Sequence, residues 1–271
     1  MKRAGLFLLA AMLIAADAPP YQSSPARHAV VETRDWGPWG GPFRAKLIPA
    51  LMQDFGERYI YAPANATLPP PARGERRIVF LGDSITDLWN LSSAFPDKPY
   101  INRGIGAQVT AQMLVRFEPD VVALKPAAVI ILAGTNDVSG FLQVETPATI
   151  LASITAMADI ADARGIRVIL TSILPVNDYT DNARHVVKER PPETLRAINA
   201  ALRDLARHRG YSYADYAASL TDARGLLEAD LTRDGLHPND MGYARMAPVA
   251  AAAITHALRS PPRSRGYQPG E

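Results

Sequence analysis

Residues Ala127 to Asp137 read AAVIILAGTND. An unbroken apolar run, rich in β-branched side chains, ends at a glycine and turns polar at once. A strand with one wet face alternates apolar and polar residues, so a run without polar interruption predicts a strand covered on both faces. Similar stretches recur on either side: RRIVFLG (76–82), PYINRG (99–104), IRVILTSIL (166–174) and YSYADY (211–216). Helical rhythm fills the intervals at about 107–117, 146–164, 191–209 and 241–259. Gly165 and Gly210 each follow a helical stretch and precede a strand, where a C-terminal cap belongs. This alternation predicts a five-stranded parallel sheet with helices on both faces, an α/β class.

The flanks differ in character. The first twenty residues, MKRAGLFLLAAMLIAADAPP, place two cations before an apolar run that ends in small residues. They predict a signal peptide over 1–16, cleaved after Ala16, on a secreted or periplasmic protein. The apolar run is shorter than the roughly 20 residues of a membrane span. Lys2 and Arg3 account for the formal net charge of +2, so the mature chain is balanced and carries no basic face for nucleic acid. The chain has no cysteine, which excludes disulfides, a thiol-linked lipid anchor and thiolate zinc sites. Residues 17–75 are expected to be a linker and an N-terminal covering arm. Within them RDWGPWGGPF reads as irregular, Lys46 to Tyr59 as a helix and ATLPPPARGER as a stiff connector. The catalytic domain is expected over 76–259, and a disordered tail over 260–271.

In parallel sheets, sites form beyond the carboxyl ends of the strands. There the sequence places GDS with Ser84, NRGIG with Gly104 and GTND with Asn136. DGLHPN, with Asp234 and His237, precedes the last helix. Each residue type has a chemical reason. A serine hydroxyl attacks only once a base takes its proton. His237 has the right unperturbed pKa for that base, and Asp234 is placed to fix its tautomer and stabilise the imidazolium. A developing oxyanion needs donors already aimed at it. The candidates are the Ser84 N–H at a helix start, the Gly104 N–H and the Asn136 amide.

GDSIT, NRGIG, GTND and DGLHPN resemble, in order, the four blocks of the SGNH hydrolases, also called GDSL esterases and lipases. The resemblance spans roughly residues 76–258. It implies a flavodoxin-like three-layer α/β/α sandwich and a carboxylic ester hydrolase. It also implies Ser84 as nucleophile with Asp234 and His237 as its triad partners, and Ser84, Gly104 and Asn136 as the oxyanion hole. No cofactor and no metal are expected. The expected partner is a small-molecule or polysaccharide ester, with acetyl groups on carbohydrate preferred because no long apolar insertion suggests a lipid-binding lid. The alternatives are a lysophospholipase or thioesterase, a non-catalytic flavodoxin-like phosphate binder and an inactive carbohydrate-binding relative.

Taken singly, these motifs are also turn and cap signals. Asp83, Asp87 and Asp137 are read as structural, as caps or backbone acceptors. His28, His185, His208 and His256 are not catalytic candidates. Trp89 is read as core, and Trp36 and Trp39 as part of a covering patch rather than a sugar platform.

Overall fold

The computed structural model describes residues 37–142 and 145–259. The expected signal peptide, the linker up to Trp36, His28, the side chain of Trp39 and the tail lie outside them. Contacts divide the chain after Ala45. Before that point only residues 37–45 are described, as the start of helix α1 (Gly37–Gln53).

The helix expected over Lys46 to Tyr59 therefore starts earlier and stops sooner. Pro38 falls in its first turn, where a missing N–H costs nothing. Beyond Gln53 the chain turns, and Glu57 takes a left-handed conformation (φ +52) that no α-helix accommodates. A short helix α2 (Ala62–Thr67) follows.

The sheet comes next. Strand β1 (Ile78–Gly82) leads to helices α3 (Ser84–Asp87) and α4 (Leu91–Ala94). Strand β2 (Tyr100–Gly104) leads to α5 (Thr110–Val115) and α6 (Phe117–Asp120). Strand β3 (Ala128–Leu132) leads to α7 (Thr135–Val138) and α8 (Pro147–Ala163). Strand β4 (Arg167–Thr171) leads to α9 (Arg184–Glu189) and α10 (Pro192–Arg209). Strand β5 (Ser212–Ala214) leads to α11 (Tyr216–Leu220) and α12 (Asp240–Arg259). The five strands are all parallel, in the order β2-β1-β3-β4-β5. This is the doubly wound, flavodoxin-like arrangement, with its order reversal beside β1.

Both faces are covered, as the unbroken apolar runs require. Val79, Leu81, Val129, Ile131, Val168 and Leu170 point to one side, where α5, α8 and α10 pack. Ile78, Phe80, Ile130, Leu132 and Ile169 point to the other, under α11 and α12. Each such side chain contributes about 1.5–3 kcal/mol by leaving water. Helix α10 shows the reason for its rhythm: Leu195, Ile198, Leu202 and Ala206 are its buried stripe. Gly210 (φ +60) caps it and Gly165 (φ +70) follows α8, as expected. Trp89 is core, stacked on Tyr243 at 5.4 Å and edge-on to Phe80 at 5.7 Å.

Two sequence expectations differ locally. The helix expected from residue 107 starts at Thr110, because residues 105–108 form a tight turn with Ala107 left-handed (φ +66). Strand β5 is only three residues long, because Asp215 accepts from the Ala218 N–H and opens α11.

Candidate active site

Strand register builds the site. Gly82 of β1 lies opposite Gly104 of β2 and Leu132 of β3. Three strands therefore end level, and the loops carrying Ser84, residues 105–108 and Asn136 emerge at one edge. Ser84 is the first residue of α3, and Asp83 caps that helix by accepting the Ile85 N–H at 2.9 Å. The first N–H groups of a helix have no partner within it, so the Ser84 N–H has none within α3.

His237 comes from the loop before α12. Its Nε2 lies 2.9 Å from Ser84 Oγ, and its Nδ1 lies 2.7 Å from Asp234 Oδ2. The other carboxylate oxygen of Asp234 accepts the His237 N–H at 2.8 Å and the Leu236 N–H at 3.0 Å. Burial pushes the Asp234 carboxyl up, but the hydrogen bonds from the His237 ring and backbone more than offset it and hold it at about 2. Asp234 is thus charged throughout the neutral range. With a charged carboxylate on Nδ1–H, Nε2 carries the lone pair that faces the serine.

Asn136 is buried in α7. One of its amide hydrogens goes to the Gln108 carbonyl at 3.0 Å. An amide nitrogen has two, so the second stays available. Gly104 departs from expectation. Its N–H donates to Asn102 Oδ1 at 2.8 Å and is not the expected oxyanion donor. Its lack of a side chain serves packing instead: a Cβ there would sit 2.1 Å from the Asp87 nitrogen and 2.6 Å from the Thr86 carbonyl carbon. Gly106, two residues on, borders the serine: a Cβ placed on it would be 3.9 Å from Ser84 Cβ.

The remaining acidic residues are structural, as read from sequence. Asp137 accepts from the Thr110 N–H and hydroxyl, and ties α7 to α5. The other described histidines stand apart: His208 bonds the Asp204 carbonyl on its own helix, and His256 pairs with Ser212. His185 makes no hydrogen bond to Ser84, whose hydroxyl pairs with His237. Among the described residues no cluster of three or more His, Asp and Glu side chains could hold a metal ion.

Sequence reasoning missed the supports. Asn177, in the loop after β4, accepts at its Oδ1 from the Tyr179 N–H, donates to the Leu227 carbonyl and meets the loop of Asp234 and His237 through its N–H to the Gly235 carbonyl at 2.9 Å. A Cβ on Gly235 (φ +82) would lie 2.5 Å from the Asn177 carbonyl oxygen, so this glycine is required by both conformation and space. Arg190, buried beside α7, donates to Thr135 Oγ1 at 3.2 Å. The signal for Asn177 was present in LPVNDY, a polar break directly after a strand, but nothing in it names a partner.

Asp83 offers a test of the site's electrostatics. Burial pushes its carboxyl up to about 6, opposed by the Ile85 N–H, His237 and Arg190 and reinforced by Asp137. A carboxyl raised in the folded state favours folding fully below its unfolded value near 3.8, and that contribution is lost as pH rises through about 6. Asp137 is raised to about 6 by burial and acts in the same direction. Asp234 acts in the opposite one, with its contribution present above 3.8 and lost as pH falls through about 2. Asp83→Asn keeps an acceptor for Ile85 and deletes the buried charge. Its melting temperature should exceed wild type at pH 8, by up to about 3 kcal/mol in stability, and match it at pH 4. An equal difference at both values would show that the charge is not what matters.

Comparison with known proteins agrees with this fold. The GDSL-like lipase/acylhydrolase family profile matches residues 80–245. A crystal structure from Bacteroides fragilis, named as an acylhydrolase, is 35% identical over 76% of this chain and 99% of its own, with a TM-score of 0.70. A GDSL-like lipase from Bacteroides thetaiotaomicron is 34% identical over 76% of this chain and 100% of its own, also at 0.70. An acetylxylan esterase from Geobacillus stearothermophilus shares the fold at 21% identity and a TM-score of 0.54, over 67% of this chain and 94% of its own. No curated protein matches the chain. With its family profile spanning more than half its length and its blocks meeting at one edge of a parallel sheet, the chain belongs to the GDSL-like lipase/acylhydrolase family and is a carboxylic ester hydrolase.

Proposed function

We propose that the chain is a secreted serine esterase that works through an acyl-serine intermediate and prefers short acyl groups, such as acetyl on carbohydrate. The observation that carries the mechanism is the unbroken line from Asp234 through His237 to Ser84, at 2.7 and 2.9 Å. His237 Nε2 takes the Ser84 proton as Oγ attacks the ester carbonyl carbon. The tetrahedral oxygen develops negative charge, met by the Ser84 N–H and the free Asn136 amide hydrogen. His237 then gives its proton to the departing alkoxide, and the alcohol leaves. Water, deprotonated by the same nitrogen, attacks the acyl-serine and releases the acid. A phosphate binder has no use for a histidine base on the serine of its first loop, which argues against the non-catalytic reading.

One observation favours the lipid alternative. An open groove of about 500 Å³ runs between α4 and the start of α12, lined in part by Leu88, Trp89, Ala94, Tyr243 and Ala247. Leu88 is one turn from the serine and 57% exposed. A panel of p-nitrophenyl esters of rising chain length, run beside acetylated xylan, acetylated peptidoglycan and lysophospholipid, separates the two. The expected result is a steep fall in kcat/KM from acetyl or butyryl to long chains, with acetate released from a polysaccharide. Preference for acyl chains of about twelve carbons or more would overturn the short-acyl reading, because each methylene buried in a groove contributes about 0.8 kcal/mol.

A further inference from the structure

The segment before the family-matched region is clamped to the turn after β2 by buried glutamine side chains. Gln108 closes the turn after β2, and all of its amide's principal positions are used. Its Nε2 donates to the Gly56 carbonyl at 3.1 Å and to Glu57 Oε2 at 3.0 Å, and its Oε1 accepts from Arg116 Nε at 2.6 Å. Its backbone carbonyl holds the Asn136 amide. Gln112, one turn along, makes a second clamp, donating to the Phe55 carbonyl at 2.9 Å.

These bonds sit where the backbone is strained. Ala107, which precedes Gln108, and Glu57, which accepts from its amide, are both left-handed without being glycine. Such conformations persist only where the surroundings over-determine them. Glu57 is nearly fully buried, and so is Arg116, which also donates to the Gly82 carbonyl at the end of β1 and pairs with Asp120. A buried polar network of this kind is rigid when every member is satisfied. A planar amide anchored by one hydrogen on a fixed carbonyl has its second hydrogen aimed as well.

We propose that Gln108 is a positioning residue of the oxyanion site, held by Glu57, so that residues 55–57 upstream of the hydrolase domain set the aim of the Asn136 amide. This rests on the serine-esterase reading above. Glu57 and Gln108 touch no reacting atom; they act through Asn136 and the 105–108 turn.

The test is a double-mutant cycle on p-nitrophenyl acetate with the full chain, with folding checked by circular dichroism. Asn136→Ala is expected to lower kcat about 10²- to 10³-fold with KM nearly unchanged, as for loss of one oxyanion donor. Gln108→Ala should lower kcat about 10- to 100-fold with KM within about threefold. In the Asn136→Ala background the same change should cost less than about threefold more, because its target is gone. Glu57→Ala should follow Gln108→Ala in direction. Glu57→Gln, which keeps an acceptor for the Gln108 amide, should restore kcat to within about fivefold of wild type. If Gln108→Ala does not fold, the Glu57→Ala and Glu57→Gln pair decides the matter by the same criteria. Full multiplication of the two losses in the double variant would overturn the proposal, as would an effect confined to KM or a near-normal kcat in Asn136→Ala. Undiminished turnover by Ser84→Ala would instead remove the esterase reading itself, whatever Gln108 does.

Discussion

Ser84→Ala is expected to lose turnover of p-nitrophenyl acetate by on the order of 10⁴- to 10⁶-fold, while its melting temperature stays near that of wild type. The two halves of that expectation have separate causes. The hydroxyl is the atom His237 faces, and no other described side chain offers an oxygen to that ring nitrogen. The fold does not depend on it, because the cap of α3 is the Asp83 carboxylate and the strand beneath is apolar. An organophosphonate should label wild type and leave the variant unlabelled. Activity within tenfold of wild type would show that Ser84 is not the nucleophile.

Asp234→Asn should cost about 10⁴-fold in kcat near neutral pH, by a different route. Asn can still accept the backbone N–H groups of Leu236 and His237, so the loop keeps its shape. Facing Nδ1, however, its amide can present a hydrogen and favour the imidazole tautomer with Nε2 protonated. That tautomer has no lone pair for the Ser84 proton, and the imidazolium formed in the transition state loses its counter-charge. The variant should therefore keep KM and its fold and lose kcat, giving up only the stability that the charged Asp234 contributes above pH 3.8. Since the Asp234 carboxyl is held at about 2 and stays charged, Asp234 itself should add no titration to the wild-type rate between pH 5 and pH 8. Retained kcat in Asp234→Asn, or a loss traced to unfolding, would remove this carboxylate from the catalytic relay.

The sheet was legible because burial on both faces leaves a signature that few other structures share. AAVIILAG has no polar break, and its core, Ala128–Leu132, became the central strand. The Asp234–His237 contact was legible because the two are neighbours in sequence, and the geometry joining them is local. What could not be read was long-range. Nothing in NRGIG says that the Gly104 N–H turns to Asn102, or that its missing side chain makes room for the backbone of α3. Gln108, Asn177 and Arg190 carry polar groups whose partners lie far along the chain, and a single sequence holds no record of such pairings. The extent of α1 escaped for another reason: Gly37, Gly40 and Gly41 have poor helix propensity, a weak preference that context overrides.

The distances along the chain between Ser84, Asp234 and His237 have a consequence for folding. Asp234 and His237 are three residues apart, and their contact can form as soon as their own loop does. Ser84 and His237 are 153 residues apart, with strands β2 to β5 between them. Closing that contact requires every strand to have docked and the full loop-closure entropy to have been overcome. Recovery of activity on refolding is therefore expected as a late event that reports on the assembled topology, whereas the Asp234–His237 contact can be native in a chain that has not yet brought Ser84 to it.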